Sequence, residues 1–192
     1  MPKIVDRDRY RKELLKKCFD LFAQRGYGSL TMRQIAKEIG VSTGTLYHYF
    51  PSKEELFVQL IEEITKQDTS ISADDIQGLE TIEERILALG QFLMENEHYF
   101  HQQTLIFINF FQQPELEQKP ILEAVKRSNQ RYQEAIMQFL GIDNQAISNH
   151  VSCLIDGLIS QRAFAPESVA ISEQMELLAQ MLSAYLENQP TS

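Results

Sequence analysis

The segment of residues 31–53 constrains the fold of this chain most, because it contains two helix starts separated by a helix stop. Thr31 is followed three residues later by Gln34, which is the pattern of a capping box at a helix N-terminus. Apolar residues then recur at helical spacing, namely Met32, Ile35, Ala36 and Ile39. Gly40 can adopt the left-handed backbone that ends a helix, and Ser42 can cap the next helix. The segment therefore predicts two short helices joined by a tight turn.

The second short helix has one apolar face and one polar face. Leu46 and Phe50 are four residues apart, and we expect both to point inward. The outward face then consists of Thr43, Thr45, Tyr47 and His48. Pro51 stops this helix, and Ser52 followed by Glu55 predicts a second capping box. Two short helices joined through a glycine turn have the layout of a helix-turn-helix, whose second helix can lie in the major groove of DNA.

Charge is distributed unevenly along the chain, although the formal net charge is −9. Residues 1–53 carry 11 Lys and Arg against 5 Asp and Glu, which gives +6. Residues 54–192 carry 7 Lys and Arg against 22 Asp and Glu, which gives −15. A basic segment followed by an acidic one is expected where one end of a protein meets phosphates.

Periodicity along the whole chain is helical, and no segment alternates as a strand does. We therefore predict an all-α fold of about nine helices. A three-helix, helix-turn-helix head at residues 1–50 is expected to precede a helical body at residues 51–192. The polar segment 68–80 lacks periodicity and predicts a loop or a hinge, and Pro114 is expected to break a helix.

A dense set of residues in the first third of the chain carries a family resemblance. The set consists of Phe22, Gly26, Tyr27, Thr31, Ile35, Ala36, Gly40-Val41-Ser42, Gly44-Thr45-Leu46-Tyr47, Tyr49-Phe50 and Ser52-Lys53. It resembles the N-terminal domain of TetR-family transcriptional regulators over about residues 7–60. The resemblance implies a homodimeric regulator, most often a repressor. Its head would bind double-stranded operator DNA, and its body, residues 51–192, would bind a small-molecule effector and dimerise.

The resemblance also implies which side chains contact DNA. In the family the matching positions that tend to do so are Thr31, Arg33, Ser42, Thr43, Gly44, Tyr47, His48 and Lys53. Thr45 joins them from the outward face of the second helix. Arg33 and Thr43 are the candidates for base readout. The candidates for phosphate contact are Tyr47, His48 and Lys53. Thr31 and Ser42 could instead serve as helix caps alone.

The segment of residues 92–132 is rich in aromatic side chains, most of which are expected to pack in a core. Alternatively, some of them line an apolar cavity for the effector, which is where the family usually keeps it. The candidate ligand-binding residues are Phe92, Gln103, Phe107, Phe111 and Tyr132. Because no cationic cluster accompanies these aromatics, we expect an apolar or cationic effector rather than a polyanion.

The last two predicted helices, at about residues 144–163 and 169–186, have broad apolar stripes. They resemble the pair that in the family forms a four-helix bundle with the partner subunit. The candidate dimer-interface residues are Leu154, Ile155, Leu158, Leu178, Met181, Leu182 and Tyr185. So much apolar surface would be unfavourable in water on a monomer.

Patterns typical of metal sites and enzymes are lacking. His98 and His101 are three residues apart with acidic neighbours, but zinc needs three or four converging ligands, so we expect no metal site. The sequence has no phosphate-binding glycine loop and no nucleophile turn. We therefore expect no catalytic residues, no cofactor and no enzymatic activity.

Membrane association is not expected, because no stretch approaches the length of a membrane span. Charged residues at positions 6–9 argue against a signal peptide, which predicts a cytoplasmic protein. One alternative concerns control: DNA binding could be regulated by a protein partner, with no small-molecule effector.

Overall fold

The computed structural model describes residues 6–71, 73–112 and 119–188. Every regular element in these ranges is a helix, which confirms the predicted all-α fold. Nine helices of seven or more residues and one of four are found there. They are α1 (Arg7–Arg25), α2 (Met32–Glu38), α3 (Thr43–Tyr49), α4 (Lys53–Asp68), α5 (Ala73–Ile76), α6 (Ile82–Glu95), α7 (Glu97–Phe111), α8 (Lys119–Leu140), α9 (Gln145–Phe164) and α10 (Ile171–Glu187).

The short helix α5 lies in the segment 68–80, where the sequence predicted a loop or a hinge. A four-residue helix is a single turn, too short for an apolar repeat to reveal it in the sequence. The predicted break at Pro114 lies outside the described residues, between α7 and α8.

Side-chain caps begin several helices where the sequence predicted them. The Thr31 hydroxyl accepts from the Gln34 N–H at 3.3 Å, and Gln34 Oε1 accepts from the Thr31 N–H at 2.8 Å, so the first capping box is confirmed. At α4, Ser52 Oγ accepts from the Glu55 N–H at 3.0 Å. The Glu55 carboxylate, however, accepts from the Gln59 amide at 2.8 Å. The second capping box is therefore half formed, because Glu55 faces the next turn of α4.

The chain divides into two compact units, the first of which combines residues up to 69 with residues 105–131. Helices α1 and α4 pack together in this unit. Its buried residues include Leu14, Leu15, Cys18, Phe22, Leu56, Leu60 and Ile61. Tyr27 extends this core, because its ring centre lies 4.6 Å from that of Phe57 and 5.3 Å from that of Phe110. The last turn of α7 thereby shares a core with α1 and α4.

The second unit combines residues 70–104 with residues 132–192. Helices α6 and α10 pack closely along each other. The core of this unit includes Ile86, Leu93, Phe100, Val151, Met175, Leu178 and Ala179. The predicted boundary after residue 50 would separate the helix-turn-helix from α4. This boundary stays a prediction of which residues contact DNA, and it does not describe how the helices pack.

Candidate nucleic-acid interface

The turn between α2 and α3 is closed by backbone hydrogen bonds around Gly40. This glycine has a φ of 77°, a left-handed conformation that is favourable without a Cβ atom. The Val41 N–H donates to the Ala36 carbonyl at 2.9 Å, the closing bond of a Schellman turn. Ser42 then caps α3, because its Oγ accepts from the Thr45 N–H at 2.9 Å. The predicted helix-turn-helix is thus held together by local hydrogen bonds.

Helix α3 buries the face that the sequence predicted. Leu46 and Phe50 are completely buried. The exposed residues of α3 are Gly44, Tyr47 and His48. Thr43 and Thr45 are half-buried, and Thr45 Oγ1 lies 2.8 Å from Ser42 Oγ. The Thr45 hydroxyl therefore supports the cap, while the phenol and the imidazole of α3 face solvent.

Helix α2 contributes two exposed side chains next to this surface, Thr31 and Arg33. The Thr31 hydroxyl donates to Gln34 Oε1 at 2.8 Å and also accepts the capping hydrogen bond, so it is committed to the start of α2. Arg33 makes no hydrogen bond to another described residue. Its five N–H donors are therefore available for a guanine edge or a phosphate.

Lys53 holds the turn that precedes α2. Its Nζ donates to the Leu30 carbonyl at 2.8 Å and to the Tyr27 carbonyl at 2.9 Å. The same atom lies 4.1 Å from the centre of the Tyr27 ring, a cation–π contact. Burial lowers the pKa of Lys53 below its ordinary value. Burial, followed by the charge of Glu54, raises the pKa of Tyr27 to about 12. Two of the three ammonium donors thus serve the fold, which leaves one for a phosphate.

Tyr49, at the end of α3, is half-buried in an aromatic cluster. Its ring centre lies 5.6 Å from that of Tyr10 and 5.2 Å from that of His48. The guanidinium carbon of Arg7 lies 6.0 Å from the same ring centre. The first turn of α1 therefore lies beside the end of α3. The sequence did not single out Arg7 or Tyr10 for this surface, because contacts between residues so distant along the chain leave no periodic signal.

The side chains on this surface are suited to hydrogen bonds with DNA. It presents hydroxyl, phenol, imidazole and guanidinium groups on two short helices, within a segment of net charge +6. The major groove of B-DNA, about 12 Å wide, admits one helix and offers base edges with which such groups can form hydrogen bonds. Helix α3 is therefore the candidate recognition helix.

The predicted ligand-binding residues do not share one environment. Phe107 is half-buried and Phe111 is 50% exposed, and both belong to the first compact unit. In the second unit, Gln103 is buried, Tyr132 is half-buried and Phe92 is 43% exposed. Their role in effector binding stays a prediction.

A cleft of about 420 Å³ lies in the second unit, near the end of α6, the start of α7 and the segment that joins α9 to α10. Its apolar walls are formed by Leu93, Met94, Phe100, Ile159, Ala163 and Ile171. Arg162 Nε donates to Glu97 Oε1 at 2.5 Å along the same cleft. None of the five predicted ligand-binding residues lines it.

The predicted dimer-interface residues also fall into different surroundings. Leu158, Leu178 and Leu182 are at most 7% exposed and pack in the core of the second unit, so they offer little surface to a partner. Met181 and Tyr185 are instead 56% and 51% exposed. The remaining two, which are half-buried, are Leu154 and Ile155.

The described ranges contain neither a metal-binding cluster nor a membrane-spanning helix. No group of three or more His, Cys, Asp or Glu side chains in them is arranged to hold a metal ion. Nor does any helix there have both the length and the apolar character needed to cross a membrane.

Comparison with known proteins places the interface in a family. A family model for "Bacterial regulatory proteins, tetR family" matches residues 14–60. The HTH-type transcriptional regulator BetI of Rhizobium meliloti is 22% identical over 195 residues, covering 97% of this chain and 94% of that protein. The HTH-type transcriptional repressor KstR2 of Mycobacterium tuberculosis is 32% identical over 97 residues, covering 50% of this chain and 48% of that protein.

A solved structure shows the same fold over most of the chain. The transcriptional regulator FadR from Bacillus subtilis, in complex with stearoyl-CoA, has a TM-score of 0.63 and 20% identity. The match covers 89% of this chain and 96% of FadR. The family model spans α2, the Gly40 turn, α3 and Lys53, which together form the surface described above. Residues 14–60 of this chain thus form a helix-turn-helix domain of the tetR family of bacterial regulatory proteins, and the chain is a DNA-binding transcriptional regulator, not an enzyme.

Proposed function

We propose that this regulator is a repressor that binds its operator as a homodimer and is released by a small, mainly apolar effector. The observation that carries the proposal is the exposed polar face of α3 on a basic head. Two comparisons support the proposals of repression and of a small-molecule effector. KstR2 is named a repressor, and FadR was solved with stearoyl-CoA.

The homodimer is proposed to form through the outward face of α10 together with α9. Leu177, Met181 and Tyr185 recur at helical spacing along α10 and are 49%, 56% and 51% exposed. Phe164, the last residue of α9, is 74% exposed. An apolar stripe of this kind is typical of an interface, and a two-fold symmetric contact would bury the same residues in both protomers.

Helix α4 is the element through which an effector would act on the head. It begins directly after the helix-turn-helix, and the buried Thr65 Oγ1 lies 2.5 Å from Ser128 Oγ of α8. Arg127 of α8 donates to Glu62 of α4 at 2.9 Å. A displacement of α8 would therefore move α4. The two heads would then leave the spacing of about 34 Å that matches successive major grooves.

The proposal requires the effector to bind the released state more tightly than the DNA-bound state. A duplex selected by the wild-type protein from a random-sequence library serves as the operator probe, and anisotropy measures its affinity. Apolar and apolar cationic compounds are then screened by thermal shift. Stabilising compounds should lower operator affinity, and the operator should lower their affinity by the same factor. A screen without any stabilising compound, or with compounds that leave DNA affinity unchanged, contradicts control by an effector.

Two variants locate the effector. Phe107→Ala should weaken the effector response more than DNA binding if the aromatic segment holds the site. Met94→Ala should weaken the effector response more than DNA binding if the effector binds in the cleft of the second unit instead. If Phe107 is merely a packing residue, its loss should instead cost about 3–5 kcal/mol of stability and lower both activities together.

A further inference from the structure

The first turn of α1 places a cation beside the recognition helix. Arg7 and His48 both lie against the Tyr49 ring, at 6.0 Å and 5.2 Å from its centre. Tyr49 is in turn packed edge-on against Tyr10, one turn after Arg7 on α1. The ring thus connects α1 to the exposed end of α3.

Four other cations of α1 are engaged within the protein. Arg9 pairs with Glu13 at 3.2 Å, and Lys17 Nζ donates to the Ile39 carbonyl at 3.3 Å. Glu63 of α4 pairs with two of them, Arg11 at 3.3 Å and Lys12 at 3.0 Å. Arg7 has no carboxylate within ion-pair distance among the residues that the structure describes. Its charge is therefore more readily available to an external anion.

The acidic residue that precedes Arg7 is occupied as a helix cap. Asp6 Oδ1 accepts from the Asp8 N–H and the Arg9 N–H, each at 3.2 Å. This carboxylate is thereby turned onto the backbone of α1, while the Arg7 side chain extends to the Tyr49 ring.

We propose that Arg7 is a phosphate-binding residue of the DNA interface and that Tyr49, supported by Tyr10, positions it beside His48. Successive phosphates of one DNA strand are one base step apart, about 3.4 Å along the helix axis. Arg7 and His48 both contact the Tyr49 ring, so their donors can reach phosphates of the same DNA strand. The interface then includes the first turn of α1 as well as α2 and α3. This inference rests on DNA binding itself and not on repression or on an effector.

Arg7→Ala is the central test, and Arg9→Ala is its matched control, because both remove one exposed arginine from the first turn of α1. Affinity is measured by anisotropy from 50 to 200 mM salt, with the selected duplex and with an unrelated duplex of equal length. Arg7→Ala should weaken binding to both duplexes by a similar factor, since phosphate contacts carry no base identity. For each head, the slope of log affinity against log salt should fall by about 0.9. The ratio of the wild-type affinity to the Arg7→Ala affinity should accordingly fall about 3.5-fold per head between 50 and 200 mM salt.

Arg9→Ala should leave that slope unchanged. Equal affinities and equal slopes for Arg7→Ala and Arg9→Ala would overturn the proposal. A wild-type protein that selects no duplex would instead contradict the DNA-binding activity, which keeps the two failures distinct.

The positioning role of Tyr49 is tested by a double-mutant cycle. Arg7→Ala should cost less affinity in a Tyr49→Leu background than in the wild type, because the ring that holds the guanidinium is gone. Tyr49→Phe keeps the ring and should preserve the full effect of Arg7→Ala. Equal costs in all three backgrounds would remove Tyr49 from the positioning of Arg7. Melting temperatures of the variants show whether the head remains folded.

Discussion

Lys53 and Tyr47 were both expected to contact phosphate, but their surroundings differ. The ammonium of Lys53 donates to two carbonyls of the turn before α2 and lies over the Tyr27 ring. Tyr47 is 48% exposed. Substitution of Lys53 should therefore affect the fold as well as DNA binding, whereas substitution of Tyr47 should affect DNA binding alone.

Lys53→Met is expected to lower the free energy of unfolding by about 1–3 kcal/mol, because the Tyr27 and Leu30 carbonyls lose a charged donor. Tyr47→Ala should change it by no more than about 0.5 kcal/mol, as is usual for an exposed residue. Urea unfolding and anisotropy with the selected duplex separate the two effects. A Lys53→Met variant as stable as the wild type would show that these carbonyls do not depend on the ammonium.

At the scale of single elements, two glycines with nearly the same φ can be compared. Gly26 ends α1 with a φ of 76°, and Gly40 follows α2 with a φ of 77°. A Cβ atom on Gly26 would lie 3.1 Å from Asn109 Oδ1, whereas nothing lies within 4 Å of one on Gly40. Gly26 also has a ψ of 146°, which lies outside the left-handed helical region, so an alanine there should meet more backbone strain as well as closer packing.

Gly40→Ala is expected to cost about 1–2 kcal/mol through its left-handed backbone. Gly26→Ala should cost more, because Asn109 must also move. Denaturant midpoints of the two variants, at an unchanged m-value, give the comparison directly. Equal losses would mean that neither the ψ of Gly26 nor the contact with Asn109 adds to the cost.

A third glycine, Gly44, lies within helix α3. Gly44 is exposed, and the nearest atom to a Cβ built there is Ser42 Oγ, at 3.8 Å. Gly44→Ala should therefore leave the fold intact and can stabilise α3 by up to about 1 kcal/mol through helix propensity. Affinity for the selected duplex should fall nevertheless, if the backbone of α3 lies against DNA as predicted. An unchanged affinity would place Gly44 outside the contact surface.

The helix-turn-helix could be predicted from sequence because its signals are local. Thr31 with Gln34 and the glycine at position 40 act within a few residues of their own positions, and the structure confirms both. The contacts of Lys53 with the carbonyls of residues 27 and 30 and of Arg7 with Tyr49 could not be predicted, since they depend on how helices meet. Apolar periodicity has a similar limit. The stripe that contains Leu182 is apparent in the sequence, but the sequence does not show whether the same chain or a partner covers it.

For the whole molecule, the question of assembly depends on which apolar residues remain uncovered. A double substitution, Met181→Glu with Tyr185→Glu, should yield a folded monomer, because both positions are more than half exposed in a single chain. Leu182→Glu should instead unfold or aggregate the protein, because it buries an unpaired charge in the second unit. Sedimentation velocity at micromolar concentration, together with circular dichroism, distinguishes these outcomes. A monomeric wild type, or a double variant that still dimerises, contradicts the proposed interface.

The composition of the first compact unit also bears on how such regulators diversify. The unit is assembled from two separate stretches of chain, because Phe110 packs on Tyr27 and Phe57, and Ser128 lies in contact with Thr65. Recombination that transferred the N-terminal stretch alone would leave these residues facing partners selected in another protein. New operator preferences are therefore expected to arise by point substitution on the outer surface of α3, rather than by exchange of whole N-terminal modules between relatives.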